Sequence, residues 1–89
     1  RDRSTDSSST LAELPGGSGK IVEVHIKHSS PCVGKKVKDI HLPADALFVA
    51  LLHKFKTKVP SADDIILAGD RVVLIVSEAE RKSVLASLI

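Results

Sequence analysis

Four histidines and one cysteine are the side chains of this sequence that could hold a metal ion or act as a nucleophile. His25 and His28 are three residues apart on a segment that alternates like a β-strand, so their side chains point to opposite faces. No second pair of Cys or His residues follows at the spacing of a zinc site. For Cys32, no orienting Asn or Asp and no oxyanion loop can be named. We therefore expect no metal site and no catalytic thiolate.

Three aspartates, Asp63, Asp64 and Asp70, could act as paired acids or as ligands of a hard cation. All three lie in short turn-like segments, where an aspartate side chain hydrogen-bonds the backbone. We expect these turn roles. Since the sequence contains no catalytic constellation, the protein is predicted not to be an enzyme.

Six lysines form two clusters that could meet the phosphate oxygens of a small anionic ligand. The clusters are Lys35, Lys36 and Lys38, and Lys54, Lys56 and Lys58. The second cluster has a period of two within residues 54–60, which predicts a strand with these lysines on one face, closed by Pro60. The alternative is a solvated edge strand whose lysines discourage pairing. We expect no nucleic-acid partner, because the net charge is only +2 and the chain has two Phe and no Tyr or Trp for base stacking.

The apolar pattern predicts the elements that position these side chains. Two short apolar runs, residues 46–52 and 72–76, are bounded by Pro, Asp or Gly. They predict two central strands, 47–53 and 71–76, that are buried on both faces. Residues 21–28 alternate apolar with polar side chains, which predicts a half-buried strand.

Two helices complete the predicted order. Ser30 and Pro31 suit the first positions of a helix, and apolar residues follow at helical spacing, so residues 32–39 predict a short helix. Ser77 and Glu80 match a capping box, and the apolar residues after them predict a C-terminal helix.

The composition divides the 89 residues into two parts. Residues 1–20 are rich in Ser, Thr, Gly and Asp and predict a flexible linker, which leaves residues 21–89 as one domain. A domain of this size is marginally stable alone, which favours dimerisation or attachment to a larger protein. The single cysteine is compatible with a reducing cytosol, and no run approaches the roughly 18 apolar residues of a membrane span. Because the chain contains no Met, we expect a fragment of a longer protein.

Three motifs in order resemble the C-terminal ligand-binding module of potassium-conductance regulators, the RCK-C or TrkA-C family. They are Ser30-Pro31-Cys32-Val33-Gly34-Lys35 with Ile40-His41-Leu42-Pro43, Phe48-Val49-Ala50-Leu51 followed by Val59-Pro60, and Leu67-Ala68-Gly69-Asp70-Arg71-Val72. The resemblance covers residues 21–89. One departure is the hairpin His53-Lys54-Phe55-Lys56, which lacks the glycine that the family often has there.

The resemblance implies a small α+β domain with a mixed β-sheet, one short helix and a C-terminal helix. It also implies a homodimer that is the cytoplasmic part of a membrane-associated channel, transporter or permease. Some family members bind a cyclic di-adenosine nucleotide between two copies, through an Asn-Ile-Ile motif. The matching positions here are Leu47, Phe48 and Val49, so Leu47 stands where those members have the polar Asn.

These expectations define a cytosolic regulatory module that dimerises, senses a ligand and regulates an attached ion transporter or channel, most simply for potassium or another cation. No cofactor is assigned, and the candidate ligand is a cyclic di-adenosine nucleotide or another small anion. The predicted ligand-binding residues are Leu47, Phe48, Val49, Lys54, Lys56 and Pro60, with Lys58 on the same rim. The alternatives are a ligand-free structural dimerisation domain of a permease and an RNA-binding fragment.

Overall fold

Five strands form one antiparallel sheet in the computed structural model, which describes residues 8–89. The elements are β1 (Ser8–Glu13), β2 (Gly19–His25), β3 (Ala46–His53), β4 (Lys56–Lys58), β5 (Arg71–Ser77) and α1 (Arg81–Leu88). The strand order is β1-β2-β5-β3-β4, so β5 lies at the centre although it is the last strand in sequence. The α+β class and the C-terminal helix are confirmed, while the strand pairings of the described residues are antiparallel rather than mixed.

The hydrophobic core lies on one face of this sheet. Alternate residues of β2 and β5 point into it, and α1 contributes Val84 and Leu88. The loops add Ile26, Cys32 and Ile66, each at most 1% exposed. Burying an aliphatic side chain of this size contributes about 1.5–3 kcal/mol, so this layer supplies most of the apolar stabilisation.

The opposite face of the sheet, which we call the open face, has no second layer over it among the described residues. Its apolar centre consists of Ile21, Leu47, Ala50, Val73 and Ile75, placed together by the strand register. Leu47 is 62% exposed, whereas Val72 and Leu74 on the core face are buried. The prediction that both central strands are buried on both faces is therefore wrong. One short helix and the loops can cover only one side of the sheet.

Residues 8–13, which the composition predicts to be part of a flexible linker, form a strand. Residues 1–7 of the expected linker lie outside the described residues. Ser8–Glu13 pairs with β2 as an edge strand, with a register shift between Thr10 and Ala12. Most of its side chains are exposed, so backbone hydrogen bonds to β2 hold it rather than apolar burial. The domain boundary at residue 21 stays a prediction.

The short helix predicted over residues 32–39 is wrong. Its residues form turns and one 3-10 segment, Val37–Asp39. Gly34 has φ of +85°, a left-handed conformation that interrupts a helix, and its N–H donates to the Ile66 carbonyl at 2.7 Å. Lys36 forms a bridge with Ile65, so this loop uses its backbone groups to pair with the 62–66 segment. The helical spacing of its apolar residues reflected burial and not a helix.

The C-terminal helix is confirmed but begins at Arg81, three residues after the start that a cap at Ser77 predicts, because residues 78–80 form a turn. The Ser77 hydroxyl accepts a hydrogen bond from the Glu80 N–H at 3.3 Å, which is half of the predicted capping box. The Ser77 N–H donates instead to the Asp45 carbonyl. At the far end of α1, the buried Ser30 hydroxyl donates to the Leu88 carbonyl and fixes the helix on the core. No helix among residues 8–89 has the length and apolarity to cross a bilayer.

Asp70 joins three strand ends at one side of the sheet. Its carboxylate is 2% exposed and accepts hydrogen bonds from the Leu67 N–H at 2.9 Å and from His53 Nδ1 at 2.5 Å. Gly69, with φ of +92°, turns the chain so that the Asp70 carbonyl accepts from the Ile26 N–H at 2.8 Å. The predicted turn role of Asp70 is confirmed, and it extends to β3 through His53.

The substitution Asp70→Ala tests how much this carboxylate stabilises the fold. We expect a loss of about 2–4 kcal/mol in the free energy of unfolding, because the Leu67 N–H and the His53 ring lose their acceptor. The matched control is Asp63→Ala, whose side chain is 77% exposed and contacts Lys38 at 3.4 Å; this should cost less than about 1 kcal/mol. Urea denaturation followed by circular dichroism measures both. Equal losses in the two variants would contradict the structural role.

Candidate functional site

The predicted apolar wall of the site lies on β3, where the sheet separates its members. Leu47 pairs with Ile75 and points to the open face, while Phe48 pairs with Leu74 and packs against the core. Val49 sits in a register shift between Phe48 and Ala50 and is 37% exposed. Leu47 and Val49 are therefore available to a ligand or partner on the surface, whereas Phe48 anchors β3 to the hydrophobic core.

The predicted lysine stripe is interrupted by a turn. The strand covers Lys56–Lys58 only, and Lys54 occupies the two-residue turn before it with φ of 57°. The prediction of one strand carrying three lysines on one face is therefore wrong. Lys56 and Lys58 still share a face, opposite His53 and Leu51, and Pro60 follows β4 half-buried. A lysine does not itself indicate a positive φ, which is normally marked by glycine, so the only sequence indication is the departure from the family's glycine in this hairpin.

The apolar and basic parts of the predicted site lie at opposite ends of β3. Leu47 is at the start of the strand and Lys54 just beyond its end. At about 3.3 Å per residue, seven residues separate them by roughly 20 Å. Residues of one chain therefore do not bring Leu47 and Lys54 together. A single cleft that contains both needs a second copy.

Lys58 is engaged in an ion pair with Asp64. The Lys58 Nζ lies 2.8 Å from Asp64 Oδ1, and the Ser61 N–H donates to Asp64 Oδ2 at 2.8 Å. The hydrogen bond from Lys58, followed by that from Ser61, holds the pKa of Asp64 below its usual value. The predicted turn role of Asp64 is confirmed. Its carboxylate also holds Lys58, the last residue of β4, in place.

The cysteine has a structural environment. Cys32 is buried, with its sulfur 3.1 Å from the Ser30 hydroxyl. Within the described part of the chain, His, Cys, Asp and Glu side chains form no group of three that could hold a metal ion.

His25 and Arg71 are opposite each other at the end of the open face, a basic pair that the sequence analysis did not identify. The pairing of β2 with β5 creates it, since 46 residues separate the two in sequence.

Comparison with known proteins gives consistent results. A family model described as the TrkA-C domain matches residues 21–88. The Trk system potassium uptake protein TrkA of Mycobacterium tuberculosis is 34% identical over 73 residues, which are 81% of this chain and 33% of that protein. A TrkA homolog of Archaeoglobus fulgidus is 29% identical over 65 residues, 73% of this chain and 15% of the relative. The chain thus spans about a third or less of these curated relatives.

A solved structure shows the same fold. A chain described as "Structure of RCK domain with cda" superposes with a TM-score of 0.61 at 16% identity. The match covers 78% of this chain and 97% of that chain.

The substitution Lys58→Gln tests the ion pair on β4. We expect the pKa of Asp64 to rise towards its usual value, because its strongest hydrogen-bond donor is gone. Since the folded-state pKa is lowered, the stabilisation from this pair is present at neutral pH and is lost as the pH falls through that pKa. Carboxyl-carbon NMR titration measures the change. Lys56→Gln is the control, and an equal rise of the Asp64 pKa in that variant would show that the pairing is non-specific.

Proposed function

The chain belongs to the TrkA-C domain family, and from that premise we propose that it is a regulatory module of a potassium transport system. The observation that carries the proposal is the exposed Leu47 on an apolar sheet face that residues 8–89 leave open, in a domain that matches TrkA-C over residues 21–88. The relatives named as potassium uptake proteins support potassium, or another cation, as the transported ion. In this proposal the domain lies in the cytoplasm and acts on a membrane-embedded transporter of the same or a partner chain.

A second copy of the chain is the proposed occupant of the open face. An aliphatic surface at the middle of a sheet is stabilised when an identical surface removes it from water. Two-fold packing is isologous, and with its axis across β3 it would set the end of β3 that carries Leu47 beside the end of the partner's β3 that carries Lys54. This arrangement would join the two halves of the predicted site, which lie far apart within one chain.

The proposed ligand is a small anion held between the two copies, with a cyclic di-adenosine nucleotide as the first candidate. Leu47, Val49 and Pro60 would form the apolar wall and Lys54 the basic rim, with Lys56, which lies on the core side of β4, reaching the ligand around this edge of the sheet. The ligand would act on the transporter only through different affinities for its two states. The proposal involves no catalysis and no nucleic acid.

A ligand-free dimerisation domain of a permease is the second candidate function. The observation that favours it is the absence of a polar side chain at Leu47, Phe48 and Val49, the positions where nucleotide-binding members carry one. In this case the open face would serve assembly alone.

The substitution Leu47→Asp tests the dimer. We expect the dimer dissociation constant to rise about 100-fold or more, because a carboxylate would be buried in an apolar interface. The matched control is Ile89→Asp, since Ile89 is an exposed apolar residue that follows α1 on the other side of the sheet. Analytical ultracentrifugation measures both. A monomeric wild type, or dissociation caused by Ile89→Asp alone, would refute this interface.

Ligand titration separates the two functions. Cyclic di-adenosine nucleotide, ATP and Ca²⁺ are added to the purified chain while its melting temperature is followed. A ligand present at 100 times its Kd should stabilise the fold by about 2.7 kcal/mol. Lys54→Ala and Lys56→Ala should each weaken binding about five- to tenfold, whereas Lys82→Ala on α1 should not. If none of the three compounds changes the melting temperature of a dimeric wild type, the ligand-free alternative is supported.

A further inference from the structure

A row of side chains crosses three strands at the end of the open face next to the Asp70 turn. Arg71, the first residue of β5, pairs with His25 on β2 and with Leu52 on β3. Directly opposite residues on one sheet face have Cβ atoms about 4.5–5.5 Å apart. The guanidinium and the imidazole are therefore neighbours on one surface, with an apolar side chain beside them.

Lys54 extends this row from the hairpin. It follows Leu52 by two residues and is the first of the two residues that connect β3 to β4. Its φ of 57° is unusual for a residue with a side chain and costs about 1 kcal/mol relative to glycine at such a position. The chain thus has a lysine at a position where glycine would be more stable. Residues held in an unfavourable backbone conformation of this kind are often found at functional sites.

These side chains surround a cleft of about 270 Å³. It is lined by His25, Leu52, Lys54, Gly69 and Arg71. A Cβ added at Gly69 would have no atom within 4 Å, so this side of the cleft is open space. The volume is just below the range of about 300–1,000 Å³ typical of drug-sized ligands, which suits one compact group.

The basic side chains of this cleft take part in no ion pair among residues 8–89. The ion pairs of these residues use other basic side chains, namely Lys20, Lys36, Lys38, Lys58 and His53. Glu23 lies on the same sheet face, diagonal to Arg71, and takes part in none of these ion pairs. The cleft therefore presents a guanidinium, an ammonium and an imidazole to one ligand.

We propose that this cleft, the basic cleft of Arg71, His25 and Lys54, binds a phosphate group, either as inorganic phosphate or as a phosphate monoester. Arginine donates two parallel hydrogen bonds to phosphate oxygens, and lysine adds a point charge. The imidazole supplies a further N–H donor, and Leu52 offers an apolar contact to the ester group. The site shares Lys54 with the rim of the proposed dimer cleft, but Arg71, His25 and Leu52 complete it within one chain, so it does not require the dimer.

The test is a titration of the ¹⁵N-labelled chain with inorganic phosphate and, separately, with AMP, at constant ionic strength maintained with NaCl. We expect saturable shifts of the Leu52, Lys54, Gly69 and Arg71 amides in at least one of the two titrations. Tighter binding of AMP assigns the site to a phosphate monoester, and tighter binding of phosphate assigns it to the free ion. Arg71→Gln and Lys54→Gly should each weaken binding about tenfold. Lys54→Gly also fits the positive φ, so its loss of binding cannot come from misfolding.

The matched control is Lys82→Gln, which removes one exposed charge from α1 on the other side of the sheet. It should leave the affinity unchanged. Saturable shifts should persist in the Leu47→Asp variant, which separates this site from the proposed dimer cleft. Linear shifts spread over the whole surface, or equal weakening by Lys82→Gln and Arg71→Gln, would overturn the proposal.

Discussion

The buried carboxylate of Asp70 fixes the geometry on which the rest of this domain depends. It receives hydrogen bonds from the turn backbone and from His53, so the start of β5, the end of β3 and the 65–69 segment share one anchor. A buried carboxylate is stable only when its oxygens are bonded, which forces these elements into one arrangement. The same anchor sets the register of Arg71 with His25 and Leu52, and with it the row of side chains at that end of the open face.

The second constraint is the amount of chain available to cover a five-stranded sheet. One helix, α1 (Arg81–Leu88), and the loops seal the face that carries Val22, Leu74 and Leu51. The other face keeps Leu47 exposed. Such a face is a natural interface for a second copy, and a regulatory domain needs an interface whose occupancy differs between two states. The chain after the sheet is too short to cover both faces, and the open face and the proposed dimerisation both follow from this.

The residues that sequence reasoning located well are those whose local pattern and tertiary role agree. The two apolar runs predicted β3 and β5 within a residue at each end, because short apolar runs bounded by Pro, Asp or Gly are typical of central strands. The Ser77 hydroxyl bonds the Glu80 N–H in the turn that leads into the last helix, and Asp64 and Asp70 bond neighbouring backbone groups. The three family motifs also lie within the residues that match the TrkA-C domain. For the candidate ligand site, sequence reasoning supplied the residue types, and whether they form one cleft depends on a second copy.

The sequence by itself determined the α+β class, the two central strands, the closing helix and the family, because each of these rests on contacts or spacings between residues close in the chain. The tertiary structure alone decided which sheet face is covered and that Ser8–Glu13 joins β2 through its backbone. It also decided that residues 32–39 pair with the 62–66 segment, and that Lys54 occupies a left-handed turn beside Arg71. These features come from hydrogen bonds and register between distant segments, and the side chains that carry them have no periodic signal in the sequence.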